Sequence, residues 1–263
     1  MLRNKTMTMR YADYLQVDAL LALQRPLTAP AEHDELLFIQ IHQVYELWFK
    51  QVLHEGDALV AHLHAQHVPN AMHTLKRMRA IFKTLVSQVD ILETMTPLSF
   101  AAFRTRLEHA SGFQSRQFRE VECLFGAPLP HKIDMLAPRD QDILRERAER
   151  MSIFSAFIIM LKKSGLPITD DMIQKAQHSG TPNPDLHPAL IAIYRENSSF
   201  AGVAEQLVDL DEGLQEWRYR HIKMVERTIG TKPGTGGSDG ASYLKQTLFK
   251  PCFADLWAIR IHF

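Results

Sequence analysis

The sequence is short of the features that announce several protein classes. Among its 263 residues are two cysteines, Cys123 and Cys252, with no CxxC or CxxCH spacing. That excludes a zinc knuckle and a covalently attached c-type haem, and it fits free thiols in a reducing compartment. Neither sign of charge is in excess: Lys+Arg and Asp+Glu both number 30. No nucleic acid and no anionic membrane surface is therefore expected as a partner. The longest largely apolar run, FSAFIIML ending at Leu161, falls well short of the roughly twenty residues a membrane span needs. The opening residues, MLRNKTMTMR, carry positive charge without the apolar stretch of a secretory leader, so a cytoplasmic location is expected. HEGDALVAHLH is not HExxH and no GxSxG occurs, which removes a zincin and an α/β-hydrolase.

What is present is helical periodicity. From Ala31 to Val68 there is no proline, and Leu37, Ile41, Val44, Trp48, Val52, Leu59 and Leu63 recur at threes, fours and one seven. A second lane, Phe38, His42, Tyr45 and Phe49, runs beside the first, so this helix is apolar over a wide arc and belongs deep in a bundle. A second helix is predicted from about Ala71 to Thr94. Thr96-Pro97 opens a third, with a cap at Thr96 and proline in the first turn. Ser111-Gly112 breaks it, and helix resumes from Gln114 to about Phe125. After a proline-rich connector, one helix is expected to run on to about Lys163. Residues 164–188 are rich in Gly and Pro and read as an irregular insertion with a short helix at 170–177. A last long helix spans about Ser199 to Ile229, where Phe200, Val203, Leu207, Leu210, Leu214, Trp217, His221, Met224 and Thr228 step by three and four. The expected fold is one all-α domain over 1–263, a helical bundle.

Several residues could carry chemistry. His221 occupies a position on an apolar lane where Leu would be ordinary; it is either a core residue bonded to a carbonyl or an axial metal or haem ligand, which needs a neutral imidazole. The neighbouring Arg218, Arg220 and Lys223 would disfavour its charging and could meet haem propionates. Phe38 and His42 share a face, as a pocket pair or as a core edge would. Arg104, four after Phe100, either snorkels or receives a carboxylate. The loop GTGGSDG at 234–240 follows a helix, not a strand, so it is a poor nucleotide loop. It is a mobile linker or a lid, with Thr235 as a donor.

Taken together, four stretches resemble the tryptophan 2,3-dioxygenase family: YADYLQVDALLALQRPLT at 11–28, HDELLFIQIHQVYELWFK at 33–50, FRTRLEHASGFQSRQFREVE at 103–122 and LDEGLQEWRYRHIKMVERTIGTKPGTGGSDGASYL at 210–244. The resemblance covers nearly all of the chain apart from 164–188. It implies a haem b enzyme, a helical homotetramer with the haem pocket between long helices, which inserts both atoms of O₂ across the indole C2–C3 bond of L-tryptophan to give N-formylkynurenine. It implies His221 as the proximal iron ligand and His42 as acceptor of the indole N–H. Phe38 and Phe100 would pack on the substrate, Arg104 would bind its carboxylate, and Thr235 would contact carboxylate and ammonium from the loop. Ser111 and Gly112 would lie near O₂. Tyr11, Tyr14 and Leu15, in an N-terminal segment 1–28, would reach a neighbouring subunit's pocket.

The sequence departs from the family pattern at Phe100 (often Tyr), Val89 (commonly Trp), Tyr45 (usually smaller), Asp239 (Ser in GTGGSSG) and FADL at 253–256 (usually FPEL). Val89 for Trp would widen the pocket if it borders the indole. A homologue turned to a modified tryptophan or other indole, with monooxygenation among its options, is therefore the alternative. A haem sensor without turnover is a third reading, against which Arg104 and Thr235 argue, since a gas sensor needs no amino-acid clamp.

Overall fold

The computed structural model describes residues 8–263 other than 131, 179, 197 and 236–239. Among the described residues there are α-helices and short 3-10 turns and no strand, as the helical spacing predicts. Two short helices, α1 (Tyr11–Leu15) and α2 (Val17–Leu21), precede α3 (His33–His64) and α4 (Val68–Leu92). Then come α5 (Pro97–Arg104), α6 (Arg116–Leu124), α7 (Pro138–Glu149), α8 (Ile153–Lys163), α9 (Asp170–Ala176) and α10 (His187–Arg195). The chain ends with α11 (Ser199–Ile229), α12 (Ala241–Lys245) and α13 (Ala254–Ala258).

The 32-residue α3 and 31-residue α11 frame the bundle with α4; at 1.5 Å per residue each of the two is roughly 47 Å long. Their apolar lanes meet α8 in one core, where Phe82, Phe125, Phe154, Phe157 and Phe253 are all but inaccessible. Burying one such ring is worth roughly 1.5–3 kcal/mol. Helices α3 and α6 approach so closely that a Cβ on Gly56 would fall 2.2 Å from Leu124 Cδ2; Leu124 is itself fully buried, so the contact requires glycine. Buried Asp211 on α11 accepts from Cys252 N (2.9 Å), Phe253 N (3.1 Å) and Trp257 Nε1 (3.0 Å), which fastens the C-terminal segment to the bundle.

Thr96 caps α5 by accepting from Ser99 N at 3.0 Å, and α11 ends at Gly230 as the spacing predicts. Other boundaries differ. The single helix expected up to Lys163 is two, because Ser152 turns extended and caps α8 through Ser155 N. Its own N–H is taken by Gln177 Oε1, 3.0 Å away. The third helix ends at Arg104 rather than at Ser111, and a 3-10 turn leads to Glu108 at φ +46°. The segment 164–188 does hold a short helix, α9, capped by Thr169, while α10 begins at His187 with Pro188 in its first turn.

The N-terminal arm is moored at the start of α3. Buried Glu35 accepts from Leu27 N (2.6 Å), Thr28 N (3.1 Å) and the Thr28 hydroxyl, and Gln24 donates to Gln43 Oε1 at 2.6 Å. Beyond that mooring α1 and α2 bury nothing, and Tyr11, Tyr14 and Leu15 stand exposed.

Candidate active site

A cavity of about 270 Å³ opens between the first half of α3, α5, the 111–115 turn and the last half of α11, with Gly234, Thr235, Gly240, Leu244 and Thr247 also in its wall. Of the residues singled out in the sequence, Phe38, His42, Phe100, Arg104, Ser111, Gly112, His221 and Thr235 all line it. Tyr11, Tyr14 and Leu15 do not.

Helix α3 supplies Phe38 and His42 one turn apart, with ring centroids 4.1 Å from each other. His42 Nδ1 lies 2.7 Å from the Phe38 carbonyl oxygen. A carbonyl can only accept, so Nδ1 carries the proton and Nε2 keeps a free lone pair. Burial pushes the His42 pKa down, against the raising effects of that hydrogen bond and of Glu46. His42 lines the cavity, and with its pKa held below the ordinary 6.5 the ring is neutral at pH 7. Phe38 also packs against Phe100 (5.7 Å) and edge-on to Phe103 (5.4 Å), making an aromatic floor.

His221, across the cavity on α11, is stacked on Trp217 one turn earlier, centroids 5.2 Å apart and planes 5° apart. Burial, then the charges of His42 when protonated and of Arg119, pushes its pKa down to about 4. Neither of its nitrogens is engaged by a described residue, so the carbonyl-bonded core reading does not hold here. A neutral imidazole with a free lone pair in an apolar wall is what a metal ligand requires.

Two of the three basic neighbours of His221 are absent from the cavity. Arg220 turns to α4, 2.5 Å from Asp90 and 3.1 Å from Glu93, and Lys223 pairs with Glu226 at 2.9 Å. Arg218 stays at the wall, with Glu122 at 3.2 Å. Beside it stands Arg119, which pairs with Glu122 at 2.7 Å and lies over the Phe118 ring at 4.8 Å. Arg119 Nε and Trp217 Nε1 are buried without a hydrogen-bond acceptor. Burial pushes the Tyr45 pKa up to about 12, and the Trp217 indole N–H, directed toward the Tyr45 hydroxyl, pulls it slightly the other way. That N–H does not reach hydrogen-bond geometry there, and Tyr45 itself donates to Leu85 O at 2.9 Å.

At the mouth, the Arg104 guanidinium donates to the Pro233 carbonyl. Gly240 lies at φ +58°, and a Cβ there would meet Lys232 O at 2.8 Å. That approach of residue 240 to Lys232 therefore requires glycine at position 240. Ser111 caps the turn Gly112–Gln114, and Gln114 Oε1 accepts from Ser111 N at 3.2 Å. Asp239 lies outside the described residues. Val89 is buried in a cluster with Ile41, Leu92, Met95, Phe100, Phe103 and Met224 and is not among the residues that line the cavity.

Glu46, Trp217, Arg119 and Glu122 are wall residues that the sequence alone does not single out as such. A spacing of four is the available signal, since Glu46 follows His42 and Trp217 precedes His221 by one turn each.

An all-helical frame around one largely apolar cavity, with two uncharged imidazoles and an arginine at the mouth, defines a helical enzyme with a histidine-walled pocket. The family model described as Tryptophan 2,3-dioxygenase matches residues 2–152 and 170–263, and the chain belongs to that family. The chain is 51% identical over 252 residues to the tryptophan 2,3-dioxygenase of Herpetosiphon aurantiacus, covering 95% of this chain and 96% of that one. It is 50% identical to that of Anaeromyxobacter sp. (strain K), covering 95% and 94%, and 39% identical to that of Caulobacter vibrioides, covering 96% and 97%. The span left unmatched by the family model, 153–169, is α8 and its exit rather than the whole of 164–188.

Proposed function

We propose that this protein is a haem-dependent dioxygenase that inserts both atoms of O₂ across the indole C2–C3 bond of L-tryptophan, giving N-formylkynurenine. The observation that carries the reading is the convergence of His42, with a free Nε2, and unbonded, neutral His221 on one cavity whose mouth holds Arg104. The chain belongs to a family of that name.

The residues present fit haem b. His221 would hold the iron, its ring fixed by the Trp217 stack. Arg119 and Arg218, both in the wall, would bring guanidinium groups to the porphyrin carboxylates in an otherwise apolar cavity. Bound there in the ferrous state, haem would supply the site at which O₂ is taken up and activated. The rest is done by the chain. Phe38 and Phe100 pack on the indole, and His42 Nε2 accepts its N–H, fixing the ring's rotation. Arg104 exchanges the Pro233 carbonyl for the substrate carboxylate, a charge-assisted pair. Thr235 adds a hydroxyl to the carboxylate and ammonium, and the loop excludes water from the reacting atoms. Ser111 and Gly112 border the O₂ compartment.

The exposed Tyr11, Tyr14 and Leu15 would complete the pocket of a neighbouring subunit in a homotetramer, and the enzyme would work in the cytoplasm. No helix among the described residues is long and apolar enough to cross a membrane. The test is reconstitution with haem, reduction, and the mass of the product formed from L-tryptophan in air: a gain of two oxygens supports the reading, and a gain of one or none overturns it.

A further inference from the structure

Glu46 lines the cavity, yet no cation pairs with it among the described residues. A half-buried carboxylate without a counter-charge is retained only where hydrogen bonds compensate its lost hydration. Here both oxygens are engaged. Oε1 accepts from the Ser115 hydroxyl at 2.5 Å, and Oε2 accepts from Gln117 Nε2 at 2.8 Å; the same amide reaches the Glu46 carbonyl at 2.9 Å. Glu46 stands one turn after His42 on α3. Ser115 is the junction between the Gly112–Gln114 turn and α6. Its hydroxyl caps α6 through Phe118 N at 3.2 Å, and its N–H donates to Gly112 O at 3.2 Å. An unbroken chain of hydrogen bonds thus runs from the helix bearing His42 to the turn bearing Ser111 and Gly112.

We propose that Glu46 is a positioning residue that latches the Ser111–Gly112 turn to α3 and so fixes the distance between His42 and the O₂ compartment. On the proposed function the indole anchored by His42 must lie within bonding reach of the O₂ compartment that the turn borders, and His42 and the turn do not contact each other directly. The latch sets that gap while leaving the carboxylate anchor, on α5 and the loop, untouched. The catalytic part of this inference rests on the proposed function.

The test uses the haem-loaded protein with Glu46→Ala, Glu46→Gln, Ser115→Ala and His42→Ala, singly and combined. Hydrogen exchange at the amides of residues 112–118 should quicken about tenfold or more in Glu46→Ala, as a local opening becomes easier, while the core of α4 and α11 keeps its protection. Unchanged exchange at 112–118 overturns the latch, whatever the reaction proves to be. In turnover of L-tryptophan, Glu46→Ala should lower kcat roughly 10–100-fold, the order of loss expected from an ångström-scale misplacement. KM should stay within about threefold, since uniform substrate binding is intact. Glu46→Gln, which keeps the size and one acceptor, should fall between wild type and Glu46→Ala, and serves alone should the alanine variant not fold. In the His42→Ala background the Glu46→Ala loss should largely vanish; losses that multiply in full overturn positioning through His42. Failure of the wild type to oxidise tryptophan would instead count against the proposed function, with the exchange measurement still deciding the latch.

Discussion

The Phe38 carbonyl holds the proton-bearing Nδ1 of His42 at 2.7 Å, one helical turn away, and thereby presents Nε2 to the cavity as an acceptor. With burial pushing its pKa down, His42 is a poor proton carrier at neutral pH and a good anchor for an N–H. On the proposed function it would orient the indole rather than deprotonate it, because the indole N–H is only very weakly acidic. His42→Ala should therefore retain measurable turnover, with a loss of about 10²-fold at most, the low end of general acid–base effects. Single-turnover rates on haem-loaded enzyme check this. Complete loss with fold and haem intact would point to obligatory proton abstraction.

Arg104 already reaches across to the Pro233 carbonyl, so its head is placed for a second acceptor at the same spot. Removing one member of a desolvated charge pair costs roughly 2–5 kcal/mol. Arg104→Ala should thus lower kcat/KM about 30-fold or more. Tryptamine, which lacks the carboxylate, should be a poor substrate for the wild type; equal turnover of tryptamine and tryptophan contradicts the role.

Val89 is buried in one cluster with Phe100 and does not line the cavity. Val89→Trp should then act as overpacking, destabilising by about 1–3 kcal/mol. Selectivity between tryptophan and methyl-substituted tryptophans should not change. Thermal melts with paired kcat/KM values test this. A selective loss of the substituted substrates would return residue 89 to the pocket edge.

Glu35 gives a pH dependence. Burial raises its pKa, but hydrogen bonds from Leu27 and Thr28 and the charge of Arg106 outweigh that and leave it below 4.5. A carboxylate with a depressed folded pKa contributes its full stabilisation above the unfolded value and loses it as pH falls through the folded one. The mooring of residues 23–28 should therefore hold at neutral pH and loosen below about pH 4.5, seen as faster amide exchange across the arm. Glu35→Gln should loosen the arm at all pH values and remove that pH step. A step of equal size in the variant contradicts the assignment.

The long elements are legible because they are long: α3, α4 and α11 each repeat an apolar lane over many turns, and no local conflict interrupts it. The break between α7 and α8 is not legible, because apolar spacing carries on through Ser152 and the partner of its N–H, Gln177, lies 25 residues away. Pro188 and the glycines before it mask α10, although proline suits a first helical turn. At the site, Phe38, His42, Arg104, His221 and Thr235 come together in one cavity as the resemblance implies. Side chains whose meaning is relational stay hidden. Arg119, Glu122 and Glu46 look like an ordinary polar face until α6 is set against α3 and α11, and whether Val89 borders the cavity is decided only when the fold places it in the Phe100 cluster.

The central claim is that this cavity, loaded with haem through His221, adds both atoms of one O₂ molecule to tryptophan. The most direct measurement is the product mass from L-tryptophan and isotopically labelled O₂, using reduced, haem-reconstituted wild type beside His221→Ala. The account predicts two labelled oxygen atoms in the wild-type product, together with a His221→Ala protein that folds but purifies largely without haem. One labelled atom or none, or a His221→Ala variant that keeps its haem with unchanged axial ligation, would contradict it.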